Sequence, residues 1–138
     1  MKIFEIDSRL EKDSLFIADL ELSKLYLKND KENPWLVLIP RKIMATELTD
    51  LSLKEQCLLM AEISLVSNFL KEYHQAYKIN IGALGNIVRQ LHIHIMARYE
   101  NDRAWPDALW GTLPKESFTP MELENTKSNF IKFSSQQI

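Results

Sequence analysis

The sequence predicts an α+β domain in which an antiparallel sheet of about five strands is covered by one long helix and followed by a C-terminal extension. Two patterns support this prediction: short apolar runs bounded by turn residues, and one long segment with helical spacing of its apolar residues. A chain of 138 residues with 46% hydrophobic residues suits one core better than two. We therefore predict a single domain over residues 1–138, with the extension at residues 104–138.

The predicted strands are short and separated by polar turns. They cover residues 15–18, 25–27, 35–39, 78–81 and 90–98. The third run is continuously apolar up to Pro40, which is typical of a strand buried on both faces. The polar segment 28–34 forms the turn before it. A turn of helix starting at Asp7 or Ser8 precedes the first strand.

Two helices follow from capping signals. Ser52 and Glu55 have the spacing of a capping box, and the helix that they begin is about 22 residues long. Its apolar stripe consists of Leu59, Ile63, Val66, Leu70 and Tyr73, which predicts that one face packs on the sheet. A shorter helix begins after Thr119 and runs to about Lys132. Residues 134–137 are expected to fray.

The segment 90–98 contains two of the three histidines of the chain. Polar and apolar residues alternate from Gln90 to Ile95, which is the period of a strand with one polar face. Gln90, His92 and His94 would therefore lie on one face of this strand. The aliphatic residues between them would point into the core and fix the register.

Three interpretations of the histidine pair are possible. The pair can belong to a solvated strand face, because histidines are often only partly buried. It can bind zinc, but that requires further ligands. The remaining candidates, Cys57 and His74, fall in the long helix, where we expect Cys57 to be a buried thiol. The third interpretation is catalysis on a phosphoryl group, with one imidazole as the nucleophile. We favour the third and expect no metal and no cofactor.

The segment 80–89 supports the catalytic interpretation. It contains two glycines and two asparagines within seven positions, from Asn80 to Asn86. Glycines let a backbone approach a ligand closely and present N–H groups to an anion. Glycines between two strands are also ordinary turn residues. The catalytic interpretation therefore depends on the combination of this loop with the two histidines.

Residues 85–96, with the sequence Gly-Asn-Ile-Val-Arg-Gln-Leu-His-Ile-His-Ile-Met, resemble the signature of the histidine triad (HIT) superfamily of nucleotidyl hydrolases and transferases. The family pattern is Gly-Gln-Ser/Thr-Val-x-His-x-His-x-His. His92 and His94 match its second and third histidines. Gln90 stands in place of the first, and Ile87 stands where a hydroxyl is usual.

A bacterial branch of the family is similar in two further respects. It has the form Gln-x-His-x-His and a following Ala-Trp-Pro, here residues 104–106, and its members are similar to diadenosine polyphosphate hydrolases. The resemblance extends more loosely over residues 15–111. It implies the family's antiparallel sheet and long helix.

The resemblance also implies a function. The chain would hydrolyse or transfer the nucleotidyl group of a nucleoside 5′-phosphate derivative, such as a dinucleoside polyphosphate or a nucleoside phosphoramidate. His92 would attack the α-phosphorus, and His94 would contact a phosphoryl oxygen or protonate the leaving group. Gln90 would orient the site by hydrogen bonding. The phosphate would also be bound by the side chains of Asn80 and Asn86 and by the backbone of Asn86, Ile87 and Val88.

Other residues have a role only by resemblance. Asn29 or Asp30 would bind the ribose, although both residue types are common in any turn. Trp35 stands where many relatives have a supporting histidine. Trp105 and Trp110 are expected either to wall the ligand pocket or to anchor the tail.

The composition limits the classes of partner that we expect the chain to bind. A formal net charge of −2 provides no basic field for nucleic acid. No run approaches the 18 or so apolar residues of a membrane span, and the single cysteine rules out a disulfide within the chain, so we expect a cytoplasmic protein. By resemblance, we also expect a homodimer that binds a small nucleotide. The alternative function is a nucleotide-binding or sensor module with weak or no catalysis.

Overall fold

The computed structural model describes residues 2–137, which contain a five-stranded antiparallel sheet in the order β1-β2-β3-β5-β4. The strands are β1 (Ser14–Asp19), β2 (Ser23–Lys28), β3 (Trp35–Pro40), β4 (Lys78–Gly82) and β5 (Ile93–Arg98). The helices are α1 (Ser8–Glu11), α2 (Leu53–Tyr73) and α3 (Pro120–Ser135), with a 3-10 turn at Leu48–Asp50. The predicted fold, five antiparallel strands with one long helix, is confirmed.

Strand β3 is the centre of the sheet. It pairs with β2 on one side and with β5 on the other, and all six of its residues are buried, as its apolar sequence predicts. Leu36 and Leu38 face the core beneath the helices. Trp35, Val37 and Ile39 face a second apolar cluster on the opposite side of the sheet. The sheet is therefore covered on both faces, and His94 of β5 and His92 just before it lie under one of these covers.

The helices α2 and α3 cover the first face. The capping box of α2 is formed as predicted, with the Ser52 hydroxyl accepting from the Glu55 backbone N–H. The apolar stripe of α2 packs on the sheet, and Phe69 of α2 contacts Phe130 and Phe133 of α3. Within residues 2–137, no helix has the length and apolar character needed to cross a membrane.

The second face is covered by segments without long regular elements. Phe4, Ile6 and Leu10 come from the N-terminal segment, and Leu109 and Trp110 from the segment after β5. They pack on a shared cluster formed by Tyr26, Trp35, Val37, Ile39 and Met96. These covers leave a cleft over the middle of the sheet, and the candidate site lies in that cleft.

A buried ion pair fixes the segment after β5. Arg98 and Asp102 have side-chain exposures of 1% and 2%, and Arg98 Nε donates to Asp102 Oδ2 at 2.9 Å. Arg98 also donates to the Asn80 side chain at 2.6 Å and to the backbone oxygen of Asp107 at 2.7 Å. Burial alone raises the pKa of Asp102, but the hydrogen bonds from Arg98 and from the backbone N–H groups of Tyr99 and Ala104 outweigh it and lower the pKa.

Three expectations differ from the structure. The last strand begins at Ile93, not at Gln90, because residues 90–92 cross toward the 3-10 turn and Leu91 N–H bonds Ala45 O instead of a neighbouring strand. Helix α3 continues through Ser135 instead of fraying from Ser134. Cys57 is exposed on the outer side of α2, so the predicted buried thiol is wrong.

Candidate functional site

His92 and His94 lie side by side in the cleft. Their ring centroids are 4.9 Å apart, with an interplanar angle of 74°, and the residues are 7% and 9% exposed. The interpretation of a solvated strand face is therefore wrong, since both side chains are covered. His94 belongs to β5, whereas His92 lies just before it. The pair is held between the sheet and the covering segments.

The hydrogen bond of His92 defines its tautomer. Nδ1 of His92 lies 2.7 Å from the backbone oxygen of Gln90. A carbonyl oxygen can only accept, so Nδ1 carries the proton and donates. In the neutral ring, Nε2 then has a free lone pair. His92 can therefore act as a nucleophile through Nε2.

The hydrogen bond of His94 defines the opposite tautomer. The indole Nε1–H of Trp35 donates to His94 Nδ1 at 2.9 Å. Because an indole nitrogen is only a donor, Nδ1 must be unprotonated. The proton of the neutral ring is therefore on Nε2. His94 can donate one hydrogen bond through Nε2 but has no second proton to give.

His94 is neutral at pH 7. Burial lowers its pKa to about 3, with smaller contributions from the nearby His92 and Lys28. Protonation would also place a proton on Nδ1, where it would face the Trp35 N–H. The two histidines thus have complementary roles available: His92 offers a lone pair and His94 offers a hydrogen-bond donor.

Trp110 forms a wall of the site because Gly82 leaves room for it. Gly82 of β4 pairs with His94 in the sheet, and a Cβ at this position would lie 2.4 Å from the outer ring atom Cη2 of Trp110. The Trp110 ring is 5.7 Å from the His94 ring and 6.4 Å from the Trp35 ring. A glycine at position 82 therefore allows the indole to reach the histidine.

The loop before β5 borders the site on one side. A pocket of about 250 Å³ is lined by this loop, by both histidines and by Trp110. Gly85 has a φ of 64°, which favours glycine, and turns the chain toward the histidines. Val88 is buried, whereas Asn86 and Ile87 are exposed. The structure thus brings Asn86, Ile87 and Val88 to the same pocket as the histidine pair.

A larger pocket of about 440 Å³ lies on the other side of Trp110, and both candidate ribose ligands line it. The Asn29 side-chain oxygen accepts from Phe118 N–H at 2.8 Å. Asp30 is buried and forms an ion pair with Arg103 at 2.8 Å. Asn29 therefore keeps its amide nitrogen as a donor, while the Asp30 carboxylate is mostly occupied by protein groups.

The side chains of two predicted site residues, Gln90 and Asn80, bond protein groups away from the histidine pair. The side chain of Gln90 accepts from Asp7 N–H and donates to Glu5 O, each at 2.8 Å, so it anchors the N-terminal segment. Its backbone oxygen, not its side chain, is the hydrogen-bond partner of His92. The side-chain oxygen of Asn80 is bonded to Arg98, so it belongs to the network that positions the segment after β5.

Sequence reasoning missed three cations near the histidines. Arg9, Lys12 and Lys28 line a small pocket of about 50 Å³ together with His92 and His94. No motif singled them out, because Arg9 and Lys12 belong to the lead-in segment and Lys28 ends a strand. The hydrogen bond from Trp35 to His94 was missed for a similar reason. The sequence shows a tryptophan at position 35 where many relatives have a histidine, but it does not show which group the indole bonds. Among residues 2–137, no group of three or more histidine, cysteine, aspartate or glutamate side chains is arranged to hold a metal.

The comparisons agree with this architecture. A family model described as the HIT domain matches residues 9–101. A histidine triad protein from Bradyrhizobium japonicum is 43% identical, with 95% of this chain and 98% of that one covered and a TM-score of 0.89. A histidine triad protein from Marinobacter aquaeolei is 32% identical, with 99% and 100% covered and a TM-score of 0.91.

A solved structure of much lower sequence identity is similar to this chain in its fold alone. The diadenosine triphosphate hydrolase of Plasmodium falciparum is 16% identical, with 97% of this chain and 80% of that one covered and a TM-score of 0.58. No curated protein sequence matches the chain.

The contact between Gly82 and Trp110 gives a stability prediction. Gly82→Ala should lower the free energy of unfolding by about 1–3 kcal/mol, because its methyl group overlaps the indole. In a Gly82→Ala/Trp110→Phe double variant, the shorter ring removes the overlap. Urea unfolding of both single variants and the double variant should show a coupling of about 1 kcal/mol or more. Additive effects would contradict the proposed close packing.

Proposed function

Because the chain belongs to the histidine triad (HIT) family, we propose that it is a nucleotidyl hydrolase or transferase. Its substrate is a nucleoside 5′-phosphate derivative, either a dinucleoside polyphosphate or a nucleoside phosphoramidate. The bond to the α-phosphorus is cleaved through a nucleotidyl-histidine intermediate on His92. The observation that supports this proposal best is the pair of opposite tautomers at His92 and His94.

In the first step, the lone pair of His92 Nε2 attacks the α-phosphorus. The bond from phosphorus to the leaving group breaks, and its electrons stay with the leaving group. The ring of His92 becomes positively charged, and the Nδ1–H bond to Gln90 O stabilises that charge. A buried imidazole held by a carbonyl acceptor is therefore suited to form the intermediate.

His94 stabilises the phosphoryl group as a neutral donor. Its Nε2–H would bond a non-bridging oxygen, where charge develops in the transition state. Since His94 has a pKa of about 3, it is not the proton source for the leaving group at neutral pH. The proton that the leaving group takes up comes from water, which also reaches the phosphorus in the second step and frees His92.

In this proposal, some of the predicted binding residues contact the substrate and others act on the site indirectly. Backbone groups of Asn86, Ile87 and Val88 border the phosphate, and the exposed Asn86 side chain can join them. Asn29 binds the ribose through its amide nitrogen, with Asp30 beside it. Gln90 and Asn80 act indirectly, through the segments that they hold in place.

One observation favours the alternative function, a nucleotide-binding or sensor module with little turnover. Ile87 is 84% exposed at the position where the family usually has a hydroxyl, so this loop offers the phosphate no side-chain hydrogen bond there. Under this alternative, the pocket binds the nucleotide and His92 forms no adduct. A cytoplasmic location stays a prediction under both functions.

The covalent step is tested by replacing the nucleophile. His92→Asn should lower turnover of diadenosine tetraphosphate and of an adenosine phosphoramidate by at least about 10³-fold, because the two-step route is lost. AMP binding should persist in the folded variant. In wild-type protein, rapid quenching followed by mass spectrometry should detect an adenylyl group on His92.

His74→Asn is the matched control, since His74 is a half-buried histidine at the C-terminal end of α2, where asparagine is acceptable. It should retain adduct formation. If the wild-type protein binds AMP but forms no adduct and turns over neither substrate, the binding or sensor function is correct instead.

We further propose a homodimer formed through α2 and the edge strand β4, which pack side by side. Met60 of α2 and Ile81 of β4 are 60% and 50% exposed, so each of the two elements has an exposed apolar side chain. Light scattering after gel filtration should give twice the chain mass of 16.1 kDa at micromolar concentration. A mass of one chain would contradict the dimer.

A further inference from the structure

The small pocket beside the histidine pair has an unusual charge. Three cationic residues line it, Arg9, Lys12 and Lys28, and no carboxylate does, although the whole chain has a net charge of −2. It is small, with a volume of about 50 Å³. A concave site lined by one sign of charge attracts ligands of the opposite sign. This pocket therefore favours an anion next to His92 and His94.

The three cations differ in how far the protein neutralises them. Arg9 forms an ion pair with Asp7 at 2.7 Å. Neither Lys12 nor Lys28 takes part in any salt bridge within the described part of the chain, residues 2–137. The positive charge that remains for a ligand is therefore that of the two lysines.

Lys28 occupies the junction between two pockets. It lines the small pocket with the histidines and also the pocket of about 440 Å³ that contains Asn29. Its ammonium lies 4.7 Å from the centroid of the Trp35 ring, the same indole that bonds His94. A ligand that extends from the histidines through the small pocket into the larger one would lie beside Lys28 and Lys12, which line both.

Lys28 is also partly desolvated. Burial lowers its pKa, while Asp30 and Asp13 act in the opposite direction without forming an ion pair. Cations that lose water without gaining a bonded carboxylate are unusual in purely structural positions. A bound phosphate would supply the missing partner as a charge-assisted hydrogen bond.

We propose that Lys28, assisted by Lys12, binds a second phosphate group of the substrate next to the α-phosphate. The site then selects nucleoside polyphosphates over substrates whose leaving group is uncharged. This inference rests on the proposed function for its placement of the α-phosphate at His92. It narrows that function to phosphoanhydride substrates, and it makes Lys28 a residue that determines specificity.

The test compares ligands that differ by one phosphate. Wild-type protein is titrated with AMP and ADP by calorimetry, and ADP should bind about 10- to 100-fold more tightly. Lys28→Met, which keeps a long apolar stem on Trp35, should reduce that preference to less than about threefold. Lys28→Arg should retain most of it, because it restores the charge.

Lys24→Met is the matched control. Lys24 is on the same strand and also lies over an aromatic ring, Phe16 at 5.0 Å, but its ammonium is bonded to Asp19 and it lines neither pocket. This variant should preserve the ADP preference. Thermal unfolding of all variants identifies any that are not folded.

Two results would overturn the inference. One is equal wild-type affinity for AMP and ADP. The other is an unchanged ADP preference in Lys28→Met, including the case in which the affinities for both ligands fall by the same factor. These binding results do not depend on turnover. A wild-type protein that prefers ADP through Lys28 but forms no adduct on His92 would contradict the proposed function and leave the inference standing.

Discussion

The hydrogen bond from Trp35 to His94 is the constraint on which the site depends. An indole N–H can donate a hydrogen bond but cannot accept one, so it fixes the tautomer of the neutral imidazole, with the proton on Nε2. A histidine at position 35 could change its own protonation state, and a tryptophan cannot. The Trp35 N–H therefore fixes the neutral ring of His94 as a donor through Nε2, and burial keeps that ring neutral at pH 7. The free Nε2 lone pair of the two rings is that of His92.

The fold produces this contact through strand register. Val37 of β3 pairs with His94, so Trp35, two residues away on the same face, reaches the imidazole diagonally. Gly82 pairs with His94 from the other side and leaves space for Trp110. Each wall of the site is thus held against the sheet by a different contact. Strand register places Trp35, Gly82 leaves the space for Trp110, and the Arg98–Asp102 ion pair holds the segment that contains Trp110.

Much of this architecture was predictable from the sequence, because the patterns involved are local. Apolar runs gave five strands, capping boxes gave α2 and α3, and the alternation around His92 and His94 identified the pair. What the sequence could not reveal depends on contacts between distant segments. Gln90 is turned toward the N-terminal segment by two backbone groups, and Lys28 meets the histidines only after β2 and β5 are placed in one sheet.

The central claim is that the two histidine rings are opposite tautomers, His92 with its proton on Nδ1 and His94 with its proton on Nε2. Long-range proton–nitrogen correlation spectra of protein with ¹⁵N-labelled histidine, recorded at pH 7, test it directly. We expect the neutral form of His92 to carry its proton on Nδ1, and His94 to carry its proton on Nε2 with a bare Nδ1. A spectrum in which His94 is an imidazolium, or carries its proton on Nδ1, would contradict it.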